Sequence, residues 1–590
     1  MSKARVSALR AALRDAGFEG WIQPRADEFQ GEYVPPSGAR LAWLTGFTGS
    51  AGLAVVLQAR AAVFSDGRYT LQLRDQIDLE IFEPRHSTDT PATEWIAAAL
   101  PAGGKLAYDP WLLTDGDIAK FAKAAAAAGG ELVAADRNLL DAAWTDRPAP
   151  PQAPIAPQPL EYAGEASALK RQRLGEGLAK DKLEAAILTQ PDGIAWLLNV
   201  RGGDVEHTPL PLSFATLSAD GGADWFVDPA KLTDATRAWV GNGVRLRAIS
   251  EFAPSLDGHA GQRVAVAPSA PAAVRRRLEA AGAEVVVAPD PTALPKACKN
   301  AAEIAGARAA HRRDAAAMAR FLHWLATEGQ SGKVTEIAAA DRLEAFRRDL
   351  PLFRDLSFPT ISGAGPNGAI VHYRATPATN RALQPGSLYL VDSGAQFQDG
   401  TTDITRTVAI GAPTADMRRA YTLVLKGHLA LSAARFPKGV SGGQLDALAR
   451  APLWSAGLDF DHGTGHGVGS YLSVHEGPQR ISKTGGEAAL APGMIISNEP
   501  GYYKTGAYGI RIENLVLVRL AAIPGGERES YEFETLTLAP YDRALINLDL
   551  LSQIEVQLIN DYHSMVHDYV RPALDGAALS WLKAATARIF

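Results

Sequence analysis

Apolar side chains recur at helical spacing over residues 301–328, where Ile304, Met318, Phe321, Leu322 and Leu325 stand among alanines with charges between them. That period predicts an amphipathic helix. Thr335 ahead of Glu336 opens a second helical stretch to Arg348, because a hydroxyl caps first-turn N–H groups and an acid complements the helix dipole. The opening MSKARVSALRAALRDAG reads as a short amphipathic helix whose charges at Lys3, Arg5, Arg10, Arg14 and Asp15 leave no apolar core for a secretion signal. A tail over 541–590 is helical again, with Trp581 and Leu582 on an apolar face. Elsewhere the pattern is β: LAVVL and AAVFSDGRY in the first 147 residues, Leu388–Val391, and the alternating IRIENLVLV that begins at Ile510.

The segment DRPAPPQAPIAPQP (146–159) is dense in proline, which fixes φ and removes backbone donors, so an extended linker is expected at 148–159. It separates a block at 1–147 from one at 160–300. The two share a short motif, LAWLTGF at 41–47 and IAWLLNV at 194–200, each placed after a helix-like segment and before a β-rich stretch. A duplicated α/β unit accounts for this. A third block occupies 301–540. The chain is thus expected to be α/β (α+β), with several domains for its 590 residues. A net charge of −6 provides no general attraction to nucleic acid or anionic membranes, and no apolar run approaches a spanning length. The single cysteine, Cys298, excludes an intrachain disulfide and fits a reducing compartment, so a cytoplasmic location is expected.

Chemistry gathers in the third block. Asp392 closes the apolar run in SLYLVDSGAQFQDGTTDITR, and Asp403 follows eleven residues later. Gly394 and Asp399-Gly400 supply turn residues between them, so the aspartates are expected on neighbouring strands of a hairpin. Either one alone reads as an acid in a solvated turn. Paired at the end of a buried strand, they need a compensating cation. FDHGTGHGVGSYLSVHEGP then places His462, His466 and His475 within fourteen residues, with glycines at 463, 465, 467 and 469. Glycine permits close backbone approach and unusual φ. A lone histidine is most often a satisfied structural residue. Three in a glycine-rich loop, with His372 in AIVHYRA, point to function. Glu499 precedes the turn Pro500-Gly501. Alternation sets Arg511 and Glu513 on one face of a strand, where the bland alternative is a surface ion pair. Asp392, Asp403, His466, Glu499 and Glu513 form an oxygen-rich set suited to Mn, Co or Zn. Two divalent ions would balance the four carboxylates, activate water and polarise a carbonyl. Without metal the clustered acids repel, so metal loss is expected to destabilise this block.

These residues resemble the pita-bread metallopeptidases, a family that includes methionine aminopeptidase, prolidase and aminopeptidase P. The order Asp, Asp, His, Glu, Glu at spacings of 11, 63, 33 and 14 carries the resemblance. SFPTISGAGPNGAIVHY, DSGAQFQDGTTDITRT, GTGHGVGS, VHEGP and SNEPGYY are most like the long, three-domain Xaa-Pro aminopeptidases of family M24B. YVPPSGARLAWLTGFTGSAG and FSDGRYTLQ resemble their N-terminal domain, AWTDRP the first linker, and YEFETLTLAPYD, NDYH and WLKAATARIF the C-terminal extension. The resemblance implies two related creatinase-type N-terminal α/β domains, a pita-bread catalytic domain and a C-terminal extension serving as a dimer contact. It implies that Asp392 holds one ion, that His466 and Glu499 hold the other, and that Asp403 and Glu513 bridge both. The ions would be manganese, with zinc or cobalt possible. A hydroxide between them would be the nucleophile and Glu499 the proton shuttle. His372 and His475 would bind the substrate carbonyl and stabilise the oxyanion, His462 would shape the proline pocket, and Arg511 would support a bridging carboxylate from behind. The implied substrates are peptides with N-terminal Xaa-Pro, and the implied assembly is a cytoplasmic homodimer. The family's N-terminal domain leans over a neighbouring subunit's cleft, a role that Arg68 and Tyr69 could share, although both could simply finish a strand.

Three alternatives remain at this level. A prolidase-type dipeptidase is usually shorter and lacks the duplicated N-terminal part. A creatinase-like amidinohydrolase lacks the metal ligands, which are all present here. A non-catalytic peptide-binding protein of the same fold loses the ligands and commonly carries an acidic tail, whereas WLKAATARIF is not acidic.

Overall fold

The computed structural model describes residues 2–590. It divides into two compact units, the first reaching to Pro159 and resuming over Glu165–Ala293, the second comprising Leu160–Gly164 and Leu294–Phe590.

The first unit contains two six-stranded sheets of one topology. β1 (Gly20–Pro24), β2 (Leu53–Leu57), β3 (Ala61–Ser65), β4 (Glu83–His86), β5 (Lys105–Tyr108) and β6 (Glu131–Ala134) lie in the order 4-3-2-1-5-6. A two-stranded ladder pairs β7 (Ala156–Pro157) with β9 (Val200–Arg201). The second sheet comprises β8 (Ala185–Leu188), β10 (Phe214–Ser218), β11 (Ala223–Val227), β12 (Val244–Ala248), β13 (Arg263–Val266) and β14 (Glu284–Val287), ordered 12-11-10-8-13-14. In both sheets the central strand pairs antiparallel on one side and parallel on the other. Position for position the two halves match, so the duplication expected from the short repeat is present. The repeat itself differs from its reading as a segment following a helix. LAWLT belongs to the helix Arg40–Thr45 and IAWLL to the helix Pro191–Leu198. Each ends on a left-handed residue, Gly46 (φ 87) and Asn199 (φ 51), conformations glycine and asparagine tolerate best.

The proline-rich linker is extended, as its missing donors require. Its end is not loose: Ile155 N donates to the Lys231 carbonyl at 2.9 Å and Gln158 N to that of Asn199 at 2.8 Å. Aromatic rings join the two halves. Phe214 stacks on Phe252 at 4.1 Å and on Phe29 at 4.7 Å, and Trp111 lies 6.3 Å from Phe252. Arg68 pairs with Asp66 at 2.7 Å, and Tyr69 is buried with its hydroxyl 2.8 Å from Ser50 Oγ. Both residues lie in the turn between β3 and the helix Thr70–Gln76.

The second unit opens on the helix Ala301–Thr327, capped by Asn300 with Glu303 answering it, and the helix Glu336–Arg348, capped by Thr335. β15 (Phe353–Leu356) pairs with β18 (Ala395–Phe397), which pairs with β19 (Gly400–Thr401). β16 (Ile361–Ala364), β17 (Ser387–Ser393) and β20 (Ile404–Ile410) form a second sheet in that order. The largest sheet runs β21 (Arg435–Pro437), β28 (Ser530–Thr535), β27 (Asn514–Leu520), β24 (Ile495–Asn498), β22 (Gly465–Gly467), β23 (Glu476–Ile481). β25 (Gly501–Lys504) and β26 (Tyr508–Arg511) form a separate ribbon. IRIENLVLV, which alternates like one strand, is therefore broken at Ile512–Glu513. The tail forms helices Gln553–Val570 and Gly576–Ala585. Apolar residues of the tail pack inside the unit, where Ile559, Tyr562, Val566, Val570 and Leu582 share one core with Leu423, Val424 and Leu425.

Phe252 is almost fully buried within the stack, so Phe252→Ala is expected to lower the first unit's stability by about 3–5 kcal/mol. Urea unfolding followed by tryptophan fluorescence checks this, and an unchanged midpoint would contradict it.

Candidate metal centre

The five candidate ligands sit where strands end or meet. Asp392 lies in β17 opposite Thr405 of β20, and Asp403 is one residue ahead of β20. β24 and β27 pair so that Asn498 faces Asn514, and Glu499 and Glu513 therefore leave the same end of that pair. Glu513 N donates to the Thr405 carbonyl at 3.2 Å, which joins the two sheets at the site. His466 arrives on β22, next to β24. Glycine is needed there for close approach, since a Cβ on Gly465 would collide with the Ser497 carbonyl. The unusual φ expected of the glycines at 463, 465, 467 and 469 does not occur, and in that loop it is Tyr471 that is left-handed (φ 49).

Asp403, His466 and Glu513 each offer a donor atom within 4.8 Å of the others. His466 Nε2 lies 3.6 Å from Asp403 Oδ2 and 3.4 Å from Glu499 Oε1. Its Nδ1–H donates to the Gly467 carbonyl at 3.0 Å, which turns the Nε2 lone pair towards the carboxylates. One oxygen of each of three carboxylates is anchored. Arg511 Nη2 donates to Asp392 Oδ2 at 2.7 Å, Thr405 Oγ1 to Glu513 Oε2 at 2.8 Å, and Ser497 Oγ to Glu499 Oε1 at 3.0 Å. Asp392 Oδ1, Asp403 Oδ1 and Glu513 Oε1 are buried with no hydrogen-bond partner. Such an oxygen costs on the order of 1–3 kcal/mol, more when charged. Such oxygens on Asp392, Asp403 and Glu513, two of these residues gathered with an imidazole, fit cations.

Electrostatics agree. Burial, then Glu513 and Asp392, push Asp403 well above the usual carboxylate range. Burial, then Asp392 and Glu499, do the same to Glu513. Glu499 is pushed up to about 7, chiefly by burial and against the pull of Arg511. Arg511 is buried and does not form the surface pair with Glu513. Besides Asp392, its Nε donates to Thr405 Oγ1 at 3.2 Å and its Nη1 to Tyr503 OH at 2.6 Å. Four carboxylates and one guanidinium leave three negative charges. Two divalent ions would exceed them by one, so a loaded site favours one further anion.

The other histidines differ in how they are held. His475 stands with its ring 4.2 Å from that of His466. The next residue, Glu476, is gripped by Lys296 at 2.6 Å and by Lys299. His462 lies 4.8 Å from the Phe460 ring, donates from Nδ1 to the Gly463 carbonyl at 2.8 Å, and accepts at Nε2 from Tyr503 OH at 2.8 Å. His372 is half-buried on a turn whose neighbours Ile370 and Tyr373 pack with Ile361, Leu390 and Tyr503. Buried Glu336 holds that turn, accepting from Asn367 Nδ2 at 2.9 Å and Tyr373 OH at 3.0 Å. Tyr503, Thr405 and Ser497 were missed in the sequence because nothing separates a site hydroxyl from a structural one. The repeated Tyr after NEPG is the one local hint.

Comparison with known proteins now bears on this geometry. Residues 305–519 match the model of metallopeptidase family M24, and 529–589 match its C-terminal region. Residues 5–141 and 146–303 each match a creatinase/prolidase N-terminal domain. A probable Xaa-Pro aminopeptidase P of Coprinopsis cinerea is 39% identical, covering 99% of this chain and 98% of its own. Aminopeptidase P1 of Arabidopsis thaliana is 37% identical, covering 98% of each. The X-prolyl aminopeptidase of Caenorhabditis elegans, described as a cytosolic enzyme with a di-nuclear active site, superposes with a TM-score of 0.95 over the whole of both chains at 33% identity. The chain belongs to metallopeptidase family M24. An Xaa-Pro dipeptidase from Bacillus anthracis shares the fold over 64% of this chain and 99% of its own, at a TM-score of 0.52 and 24% identity.

In the M24 unit the raised carboxyl groups link pH to stability. Protons that the folded, metal-free unit retains are released on unfolding, so these groups favour folding below the ordinary carboxylate range, and that contribution is lost as pH rises towards about 7. Bound cations reverse the effect by stabilising the ionised forms. The melting-temperature gap between manganese-loaded and chelated protein is expected to widen from about pH 5.5 to about pH 7.5. Equal melting temperatures at the higher pH would contradict this.

Proposed function

We propose that the chain is an Xaa-Pro aminopeptidase, a two-metal hydrolase that releases the first residue from peptides with proline second. The observation that carries this is the gathering of Asp403, His466 and Glu513 donor atoms within 4.8 Å of one another, with buried oxygens of Asp392, Asp403 and Glu513 left unpartnered, in a chain that aminopeptidases P match from end to end. Asp392, Asp403, His466, Glu499 and Glu513 would hold the two ions. Two divalent ions there supply Lewis acidity and lower the pKa of a coordinated water. Manganese is the expected metal, with zinc or cobalt also compatible with the donors.

The chain's own groups do the rest. Glu499 keeps 16% of its side chain exposed. With Oε1 held by Ser497, Oε2 can take the proton of the attacking water and deliver it to the leaving nitrogen. His475, anchored through Glu476, and His372, on the turn tied down by Glu336, donate to the substrate carbonyl and stabilise the charge that develops on it. His462, backed by buried Phe460 and held edge-on to Tyr503, would shape the pocket for a pyrrolidine. Because the bond before proline has no N–H, selection there rests on shape. Arg511 orients Asp392 through its hydrogen bond to Oδ2.

A prolidase limited to dipeptides is the second reading, favoured by the fold shared with the Bacillus anthracis dipeptidase. That match leaves about a third of this chain unaccounted for. We assign the protein to the cytoplasm, as is stated of the Caenorhabditis elegans enzyme, and to a homodimer that uses the outer side of the tail, where Ile554 is 74% exposed. A monomeric mass by light scattering would remove the dimer. Metal-stripped protein resupplied with manganese is expected to release the first residue of an Xaa-Pro-Xaa tripeptide, and cleavage confined to Xaa-Pro dipeptides would favour the prolidase.

A further inference from the structure

We propose that His428, which lies behind the site and out of reach of substrate, fixes the positions of the two metal-ligating glutamates and is a positioning residue for the metal centre. The inference rests on the reading of Glu499 and Glu513 as ligands.

His428 lies in the helix Ala415–Ser432 and is fully buried. Its Nδ1 is 3.0 Å from the Asn498 carbonyl oxygen, and its Nε2 is 3.2 Å from Asn514 Nδ2. Surrounding donors settle the tautomer. Arg406 Nη2 donates to Asn514 Oδ1 at 2.8 Å, and a guanidinium cannot accept. The Asn514 amide therefore turns its NH2 to the ring, Nε2 accepts, and Nδ1–H donates. Asn498 returns the contact, its Nδ2 donating to the His428 carbonyl and to Ser432 Oγ, both at 2.9 Å. Arg406 completes the frame by donating from Nη1 to the Glu513 carbonyl at 2.6 Å.

Asn498 and Asn514 face each other across β24 and β27. Glu499 follows the first and Glu513 precedes the second. One imidazole thus ties together the rung from which both ligands leave the sheet. Its helix packs with close backbone approach against helix Gly442–Trp454, since a Cβ on neighbouring Gly427 would strike the Ala449 carbonyl. Burial, with Arg406 adding to it, pushes the imidazole down to about 3 against the pull of the Asn498 and Ile512 carbonyls, so the ring stays neutral and keeps an acceptor. Packing alone would be served by leucine. What the site uses is a rigid spacer with one donor and one acceptor at opposite edges.

The test is calorimetric titration of manganese(II) into metal-stripped, full-length protein, which does not depend on activity. His428→Leu keeps the bulk and removes both hydrogen bonds, His428→Asn is too short to make both, and His428→Gln carries a donor and an acceptor on one amide. Manganese affinity is expected to fall about 10–100-fold in His428→Leu, to fall in His428→Asn, and to return close to the wild-type value in His428→Gln. Should His428→Leu fail to fold, the difference between Asn and Gln decides. If every folded variant binds manganese as the wild type does, while only the metal-free melting temperature drops, the residue merely packs and the proposal is overturned. Wild-type protein that binds no manganese would bring down the metal reading itself, and this inference with it.

Discussion

Four carboxylates drawn into one poorly hydrated spot are the constraint on which the catalytic unit is organised. Their mutual repulsion and desolvation oppose the fold, and the protein's own groups relieve only part of that cost. Arg511 neutralises one charge, while Thr405 and Ser497 each satisfy one oxygen. Asp392 Oδ1, Asp403 Oδ1 and Glu513 Oε1 are left with no hydrogen-bond partner. Such a cluster persists in a folded domain when cations complete it, which is why ligand identity, metal dependence and stability belong to one argument.

The surrounding architecture serves to hold those side chains against their repulsion. Two antiparallel sheets meet where Glu513 N reaches Thr405 O, so aspartates from one and glutamates from the other converge. Around this junction lies a shell of buried, hydrogen-bonded groups. Arg347 grips Asp314 at 2.7 Å and reaches the Gly394 carbonyl between the two aspartates, Arg406 holds the Glu513 carbonyl, and His428 holds Asn498 and Asn514. Each is costly to bury and each is paired, as a preorganised site demands.

Much of this was legible in the chain. Acids at the ends of apolar runs and a histidine among glycines mark candidate donors one at a time, whereas the alternation that put Arg511 and Glu513 on one face of a strand assumed a continuous strand that the structure does not have. The duplicated half was visible in seven-residue matches, although their helical state was not, since Leu, Ala and Trp suit either element and the left-handed stops at Gly46 and Asn199 decided it. Other features were hidden. The break at Ile512–Glu513 leaves the alternation intact, so periodicity does not reveal it. The tail's apolar face looks the same whether it meets another subunit or its own core. His428 sits in a helical run with no flanking signal, and only its two buried asparagine partners distinguish it from a satisfied core histidine.

Composition and local pattern by themselves determined the class of the chain, its duplicated front, the helix cap at Thr335 and the five candidate donors, because each depends on residues near one another in sequence or on the chemistry of a side chain alone. Tertiary structure alone decided which oxygens are anchored and which are left for cations, that Arg511 serves Asp392 rather than Glu513, that Tyr503 links Arg511 to His462, and that a helix histidine braces the ligand strands. Those outcomes depend on distances between segments far apart in the chain, and on burial, which sets the sign and size of every electrostatic term at the site.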